Sequence, residues 1–249
     1  MALQESFQQQ GNFLFRYRSF LPLIILVAAV VVFFFDLSNG MHKDDSSYMY
    51  LQFLSLVVSF GGLLIRIIAV GHTPANTSGR NTKEQLADEV NTTGIYSTVR
   101  HPLYLGNFFM WLGAVILVAN WWFTLVFALA YWIYYERIMY AEEQFLRGKF
   151  GETYLSWANR TPAFIPSCRN HQKSRYPFSM KKVLKKEKNG VFAIFSLLFI
   201  FHFIRIAMLK QSLALSFDWV FWSFITSAVL YMVLKLIKRS TSWLDEKGR

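Results

Sequence analysis

The sequence predicts an all-α fold, a multi-pass transmembrane helical bundle of about six spans. Three observations point there. Only 16% of the residues are charged, where soluble domains carry about 25%. The apolar residues come in long, nearly charge-free runs, most of which reach or approach the roughly 20 residues that a bilayer core demands of a helix. The basic residues fall into blocks that a six-span count places on one side.

The first run, Phe20 to Phe35, contains no charge. Arg16 and Arg18 precede it, as they would a signal peptide. However, Phe33-Phe34-Phe35-Asp36 offers no small-residue cleavage site and further spans follow, so it reads as a permanent span. Tyr48 to Val70 has one charge, Arg66. Leu103 to Tyr135 has none. As one helix this third run would be about 50 Å long, too long for a hydrocarbon core of roughly 30 Å. Asn120-Trp121-Trp122 marks its middle, and tryptophan favours the membrane interface. The run therefore splits into a tight hairpin, 103–119 and 121–140. Val191 to Leu209, with Arg205, and Phe217 to Ile237, with Asp218 and Lys235 near its ends, complete the six.

Charge supports this count. With the N-terminus inside, residues 1–19, 71–102, 141–190 and the C-terminal tail are inside. They hold Arg16, Arg18, Arg80, Lys83, Arg100, Arg147, Lys149, Arg160, Arg169, Lys173, Arg175, the Lys181–Lys188 cluster, Lys238, Arg239, Lys247 and Arg249. The outer loops hold Lys43 and Lys210, with Asp36, Asp44 and Asp45 beside the former. This is the positive-inside pattern and places both termini in the cytoplasm, at the cell membrane or endoplasmic reticulum. Five spans would put a basic block on the wrong side. The sequons at 76–78 and 91–93 then lie inside and read as chance.

Leu146, Phe150, Tyr154 and Trp157 recur at helical spacing, which predicts one amphipathic helix over 141–158. Pro162 and Pro166 break regular structure beyond it. Residues 169–188 carry eight basic side chains and one acid, with Lys181, Lys182, Lys185 and Lys186 at helical spacing. They predict an anchor on anionic membrane lipids, with a site for a substrate headgroup as the alternative. In a membrane chain, the net charge of +11 reports topology and lipid headgroups rather than nucleic acid. The single cysteine, Cys168, excludes an internal disulfide and a Cys-rich metal site. Arg66, near the inner end of its span, is expected to snorkel, with an anion clamp as the alternative. His202 and Arg205 share a face of their span and form a second functional hypothesis.

Chemistry concentrates between spans two and three, in Gly94-Ile95-Tyr96-Ser97-Thr98-Val99-Arg100-His101-Pro102-Leu103-Tyr104-Leu105-Gly106. Pro102 keeps His101 out of helical geometry and suits a first helical turn. Arg100 and His101 are thus expected at a helix N-terminus whose free N–H groups attract a carboxylate or phosphate. At the end of span four stands Glu142-Glu143. An antiparallel hairpin returns its far end to the level where it began, so both glutamates should come to lie near Arg100 and His101.

Arg-His-Pro-x-Tyr-x-Gly (Arg100 to Gly106), a hairpin, Glu142-Glu143-Gln144-Phe145-Leu146 and Phe150-Gly151-Glu152-Thr153-Tyr154 resemble the isoprenylcysteine carboxyl methyltransferase and phospholipid methyltransferase group. Pro166 fits a late proline of that pattern. The resemblance covers roughly residues 50–166. It implies an integral membrane enzyme with a cytoplasmic cofactor pocket, S-adenosylmethionine as cofactor, and a lipid or lipidated substrate. It implies cofactor contacts at Tyr96, Arg100, His101, Pro102, Leu103, Tyr104 and Glu142, with Val90 and Asn91 from the stretch Asp88 to Asn91. The catalytic expectation is His101, Glu143 and Arg137. The eukaryotic carboxyl methyltransferases place a substrate-facing Arg four residues before the first Glu. Here that position is Ile138, and Arg137 lies one step, about 100°, around the helix.

The expected organisation is a cytoplasmic segment (1–19), a methyltransferase core (20–166) with its cofactor loop at 71–102, a basic juxtamembrane segment (167–190), and a C-terminal two-span hairpin with tail (191–249). Two other readings compete. Membrane sterol and lipid reductases share a similar His-Pro-x-Tyr-x-Gly segment and use NADPH, but usually lack the later acidic pair. A non-catalytic multi-pass protein would have no reason to keep this spacing.

Overall fold

A computed structural model describes residues 2–74, 87–213 and 215–246. The sequon at 76–78 and the basic residues Arg80, Lys83, Lys247 and Arg249 lie outside the described residues. The eight α-helices among these residues are α1 (Leu3–Tyr17), α2 (Leu21–Ser38), α3 (Asp45–Gly71), α4 (Pro102–Ile116), α5 (Trp121–Phe150), α6 (Glu152–Ala158), α7 (Met180–Lys210) and α8 (Trp219–Ser240). Each apolar run of the sequence is helical. By length and composition α3, α7 and α8 can each cross a membrane, and α1 with α2 would make a fourth span if that pair, bent by 72°, is taken as one. α4 is a shorter apolar helix.

Polar starts set the helix boundaries. Asp44 caps α3 by accepting from Ser47 N–H at 2.7 Å, and Asn120 caps α5 by accepting from Phe123 N–H at 3.0 Å. These side chains satisfy amides that have no partner within the helix. The hairpin turn comes slightly earlier than the sequence suggested: α4 ends at Ile116, and Ala119 takes a left-handed φ of 51° before the Asn120 cap. Asn120 also donates to Asp36 at the end of α2, at 3.1 Å.

The tightest helix pairing is α3 on α4, and it rests on small residues. A Cβ on Gly113 would fall on Ser59 Oγ and 2.6 Å from the Ser55 carbonyl, and one on Gly106 would lie 2.7 Å from the Gly62 carbonyl. In lipid, where apolar contact alone gives no preference for protein over solvent, such close backbone approach drives association. Further from this seam, Phe33, Tyr48, Leu117, Leu198, Phe201 and Val220 form a buried cluster joining α2, α3, α7 and α8.

Three features differ from the sequence-based expectations. Residues 3–17, taken only as a cytoplasmic segment, form a helix against α5, with the Phe7 and Tyr140 rings edge to face at 6.1 Å. The amphipathic helix expected at 141–158 is two pieces. α5 runs on through Phe150, and Gly151, at φ 52°, turns the chain into α6. Glycine, without a Cβ, takes such a positive φ at little steric cost. Lys182, grouped with the lipid-facing lysines, is instead buried, and its ammonium donates to Thr73 O at 2.5 Å, Thr73 Oγ1 at 2.9 Å and Pro74 O at 2.8 Å. It closes the C-terminal end of α3, where carbonyls lack helical partners.

His202 and Arg205 tie α7 to its neighbours at the Asn120 end of the bundle. His202 lies between Gln52 of α3 (3.0 Å) and Asp218 at the start of α8 (2.6 Å). Arg205 donates to the His42 carbonyl and the Asp45 carboxylate, each at 2.7 Å, with its guanidinium over Tyr48.

Candidate active site

The loop carrying Tyr96, Arg100 and His101 is held by a collar formed from residues 157–172. Gly94, at φ 61°, donates its N–H to the Gln172 carbonyl at 3.0 Å. Ile95–Ser97 then makes one 3-10 turn. The Trp157 indole donates to Tyr96 O at 3.0 Å. Arg100 N–H donates to Pro162 O at 2.9 Å and His101 N–H to Ala163 O at 3.2 Å. This corrects the expectation that both amides are free for an anion. The amides left without a helical partner at the start of α4 are those of Leu103 and Tyr104, because Leu105 N–H already reaches His101 O. Pro162, read in the sequence as a helix breaker, thus supplies one of the collar's carbonyls.

Pro102 opens α4, and the His101 ring projects towards the end of α5. There it stands between two carboxylates, with Nε2 3.0 Å from Glu143 Oε1 and Nδ1 3.6 Å from Glu142 Oε2. Arg100 donates to the other oxygen of Glu143 at 3.0 Å. The Tyr104 hydroxyl donates to Glu142 Oε1 at 2.8 Å. The Tyr104 and His101 rings stack with centroids 5.8 Å apart, and Tyr104 meets Tyr135 at 4.8 Å. The hairpin therefore brings Arg100 and His101 to Glu142 and Glu143, as its closure implies, and adds Tyr104, which was not part of that expectation.

The two glutamates differ electrostatically. Burial pushes the Glu142 carboxyl above its ordinary 4.5, and the nearby His101 and the Tyr104 hydrogen bond only partly offset this. Burial also acts on Glu143, but the His101 hydrogen bond, the His101 charge and Arg100 outweigh it and hold Glu143 below 4.5. One site thus contains a carboxyl that is easily protonated beside one that stays ionised. Burial raises the Tyr96 phenol as well, with Glu142 adding to the rise and Arg66 opposing it.

Other residues stand apart in their contacts. Arg137 turns towards α1, with its guanidinium 3.6 Å from the Phe7 ring centroid and 2.7 Å from Glu136. Asn91 makes a local contact to Thr93 N–H at 3.5 Å, and Val90 precedes it in the extended approach to Gly94. Tyr154 of α6, noted in the sequence for its helical spacing and its place in the Phe-Gly-x-x-Tyr stretch but not as a site residue, places its hydroxyl beside Glu143 and Arg100. Arg18, between α1 and α2, acts electrostatically on Glu142 and stacks on Phe15 at 3.7 Å. Arg66 is not a snorkelling side chain. It grips Glu187 of α7 through Nε at 2.8 Å and a second nitrogen at 2.7 Å, and donates to Asn107 at 2.6 Å. No local pattern in the sequence links Arg66 to Glu187, 121 positions away.

This geometry lies in the part of the chain that is shared with known proteins. The phospholipid methyltransferase family matches residues 54–153. Protein-S-isoprenylcysteine O-methyltransferase of Schizosaccharomyces pombe is 41% identical over 76 residues, 30% of this chain and 32% of that protein. The protein of the same name from Xenopus laevis is 27% identical over 138 residues, 53% of this chain and 46% of its own length. The cobalt-zinc-cadmium resistance protein CzcN of Cupriavidus metallidurans is 33% identical over 159 residues, 62% of this chain and 66% of that protein. The chain thus spans from about a third to just under two thirds of the length of these relatives. No solved structure matches.

Proposed function

Because residues 54–153 match the phospholipid methyltransferase family, we propose that this chain is a membrane-embedded methyltransferase. It moves the methyl group of S-adenosylmethionine to a carboxylate, phosphate or amine on a lipid or lipidated substrate. The observation that carries this reading is the convergence of Tyr104 and His101 on Glu142, at 2.8 and 3.6 Å, within the family segment.

The residues present suit the cofactor. Glu142 is partly open, at 27% side-chain exposure, and can pair with an ammonium or accept from ribose hydroxyls. Arg100 and the first-turn amides of α4 can face a carboxylate. Arg100 Nε and the Tyr154 hydroxyl are buried without a hydrogen-bond partner within ordinary geometry, the kind of polar atom that a bound polar ligand satisfies. The rings of Tyr96 and Tyr104 can attract a sulfonium. When bound, the cofactor supplies an electrophilic methyl group on that sulfonium.

The protein's own contribution is alignment and exclusion of water. In-line transfer needs the two reactants held in register more than it needs acid–base help. An ionised oxygen acceptor would need no base. An amine acceptor would give up a proton, which His101 or one of the glutamates can take.

The proposed topology has six spans, cytoplasmic termini and the site at the cytoplasmic face, in keeping with the positive-inside pattern. Exposed Arg169 and Lys173 can face anionic lipid headgroups. The test is binding of S-adenosylhomocysteine and of NADPH to the protein in detergent. S-adenosylhomocysteine is expected to bind. Binding of NADPH alone would overturn the proposal in favour of a reductase. A one-methyl mass difference between lipid extracts made with and without the protein would then identify the acceptor.

A further inference from the structure

The Arg66–Glu187 pair lies against α4 one turn from Tyr104, outside the ring formed by His101, Tyr104, Glu142 and Glu143. Arg66 packs its stem against Gly106, where an added Cβ would lie 2.5 Å from its Cγ. Its guanidinium holds Asn107 in the second turn of α4, the helix whose first turn carries Tyr104. Its charge acts on Tyr96 in opposition to that of Glu142. An unpaired guanidinium here would be a poor neighbour for a cationic ligand. Glu187, itself 3% exposed, takes both oxygens to that guanidinium. It comes from α7, which lies beyond the family segment.

We propose that Glu187 is the counter-charge that makes the Arg66 side of the site neutral, so that a sulfonium can bind there; α7 is thereby part of the cofactor site. This rests on the methyltransferase reading above. The donor and its demethylated product differ in one respect that matters here, a positive sulfur against a neutral one. A residue that balances charge must therefore affect the two ligands unequally, whereas one that merely holds helices together affects both alike.

The experiment measures the affinities of S-adenosylmethionine and S-adenosylhomocysteine for the full chain in detergent. The wild type is compared with Glu187→Gln, Arg66→Met and the double variant Arg66→Met/Glu187→Gln. One uncompensated charge acting over about 10 Å at an effective dielectric of about 20 changes the affinity of a cation by about tenfold. Glu187→Gln is expected to lower the ratio of donor to product affinity by about that factor. Arg66→Met is expected to raise it, and the double variant to restore it. Removing one partner of a buried pair is costly to the fold, so Arg66→Met and the double variant carry the test wherever Glu187→Gln does not fold. A ratio unchanged in the single variants, or shifted the same way in both, overturns the inference while leaving the cofactor reading intact. Wild-type protein that binds neither ligand overturns the cofactor reading and this inference with it.

Discussion

His101 Nε2 lies 3.0 Å from Glu143 Oε1, across 42 positions of sequence and one helical hairpin. That distance depends on the hairpin's length and on the place of its turn. Asn120 fixes the turn by capping α5, and Pro102 fixes the start of α4. The His101 ring links the two glutamates, so its removal should loosen the whole polar cluster. His101→Ala and Glu142→Ala are each expected to weaken S-adenosylhomocysteine binding by about ten- to a hundredfold, the range for losing one hydrogen bond to a charged group. Titration calorimetry on protein that still elutes as a single folded species would measure it. Normal binding by both variants would place the cofactor elsewhere.

The unequal glutamates give a pH prediction. Because Glu142 is raised above 4.5 by burial, it should protonate first on acidification, and an ammonium ligand loses its partner when it does. Affinity for S-adenosylhomocysteine should therefore fall as the pH drops through a value above 4.5, and Glu142→Gln should lack that acid limb. The two groups act oppositely on stability. Glu142 contributes most below 4.5 and loses that contribution as pH rises through its raised value. Glu143, held low by His101 and Arg100, contributes above 4.5 and loses it as pH falls through its lowered value. Binding and unfolding followed over the same pH series, in Glu142→Gln and Glu143→Gln, separate the two.

The seam between α3 and α4 sets the height of Tyr104 and His101, and it tolerates no added atoms. A Cβ on Gly113 meets Ser59 Oγ and the Ser55 carbonyl, and one on Gly62 lies 2.7 Å from Met110 N. Backbone cannot yield as a flexible side chain can. Gly113→Ala is expected to cost about 1–3 kcal/mol, the usual range for overpacking. It should also weaken S-adenosylhomocysteine binding through the shift of α4. Gly148→Ala, with open space around it, is the control, and thermal unfolding in detergent the readout. Equal melting of the two variants would refute the seam's role.

The parts of this fold that were legible in the sequence are those governed by one helix or one hairpin. Run length and charge-free composition mark the apolar helices, and the Asn120-Trp121-Trp122 signal splits the longest run. Hairpin closure then brings Glu142 and Glu143 to His101. What escaped were side-chain partners chosen by packing between distant helices. Arg66 looks like a snorkelling residue until Glu187 is placed beside it. Lys182 belongs by periodicity to a lipid-facing row, yet the close of α3 at Thr73 and Pro74 takes it inward. Residues 3–17 carry no long apolar run, so nothing in them announced a helix laid along α5.

Lys182 leads to a stability prediction that separates it from its neighbours. Its ammonium serves three oxygens just past the end of α3. Lys182→Met keeps the stem and removes every one of these bonds, leaving the oxygens buried. It should cost about 2 kcal/mol or more, since hydrogen bonds to charged groups contribute about 1.5–3 kcal/mol each. Retention on vesicles rich in anionic lipid should be unchanged. Arg169→Ala with Lys173→Ala should show the reverse, with normal melting and weaker retention. If Lys182→Met loses vesicle binding and keeps its melting temperature, the side chain faces lipid after all.

Arg137 is where the family pattern and the structure's contacts pull in different directions. The pattern suggests a substrate-facing arginine near this position. The structure turns its guanidinium over Phe7, and a Cβ on Gly11 of α1 would strike the Arg137 carbonyl. Those contacts give Arg137 the task of docking α1 on α5. An exposed or half-buried cation–π contact contributes about 0.5–2 kcal/mol, so Arg137→Ala should lower the melting temperature by a few degrees and expose α1 to proteolysis. Phe7→Ala should reproduce both effects, and the two substitutions together should cost little more than either alone, as expected of side chains that act through one contact. S-adenosylhomocysteine affinity should stay within about twofold of wild type. A large fall in kcat/KM for the methyl acceptor in Arg137→Ala, absent from Phe7→Ala, would instead return Arg137 to the substrate side. The carboxylate or phosphate of the acceptor would then have to draw its guanidinium off Phe7 on binding.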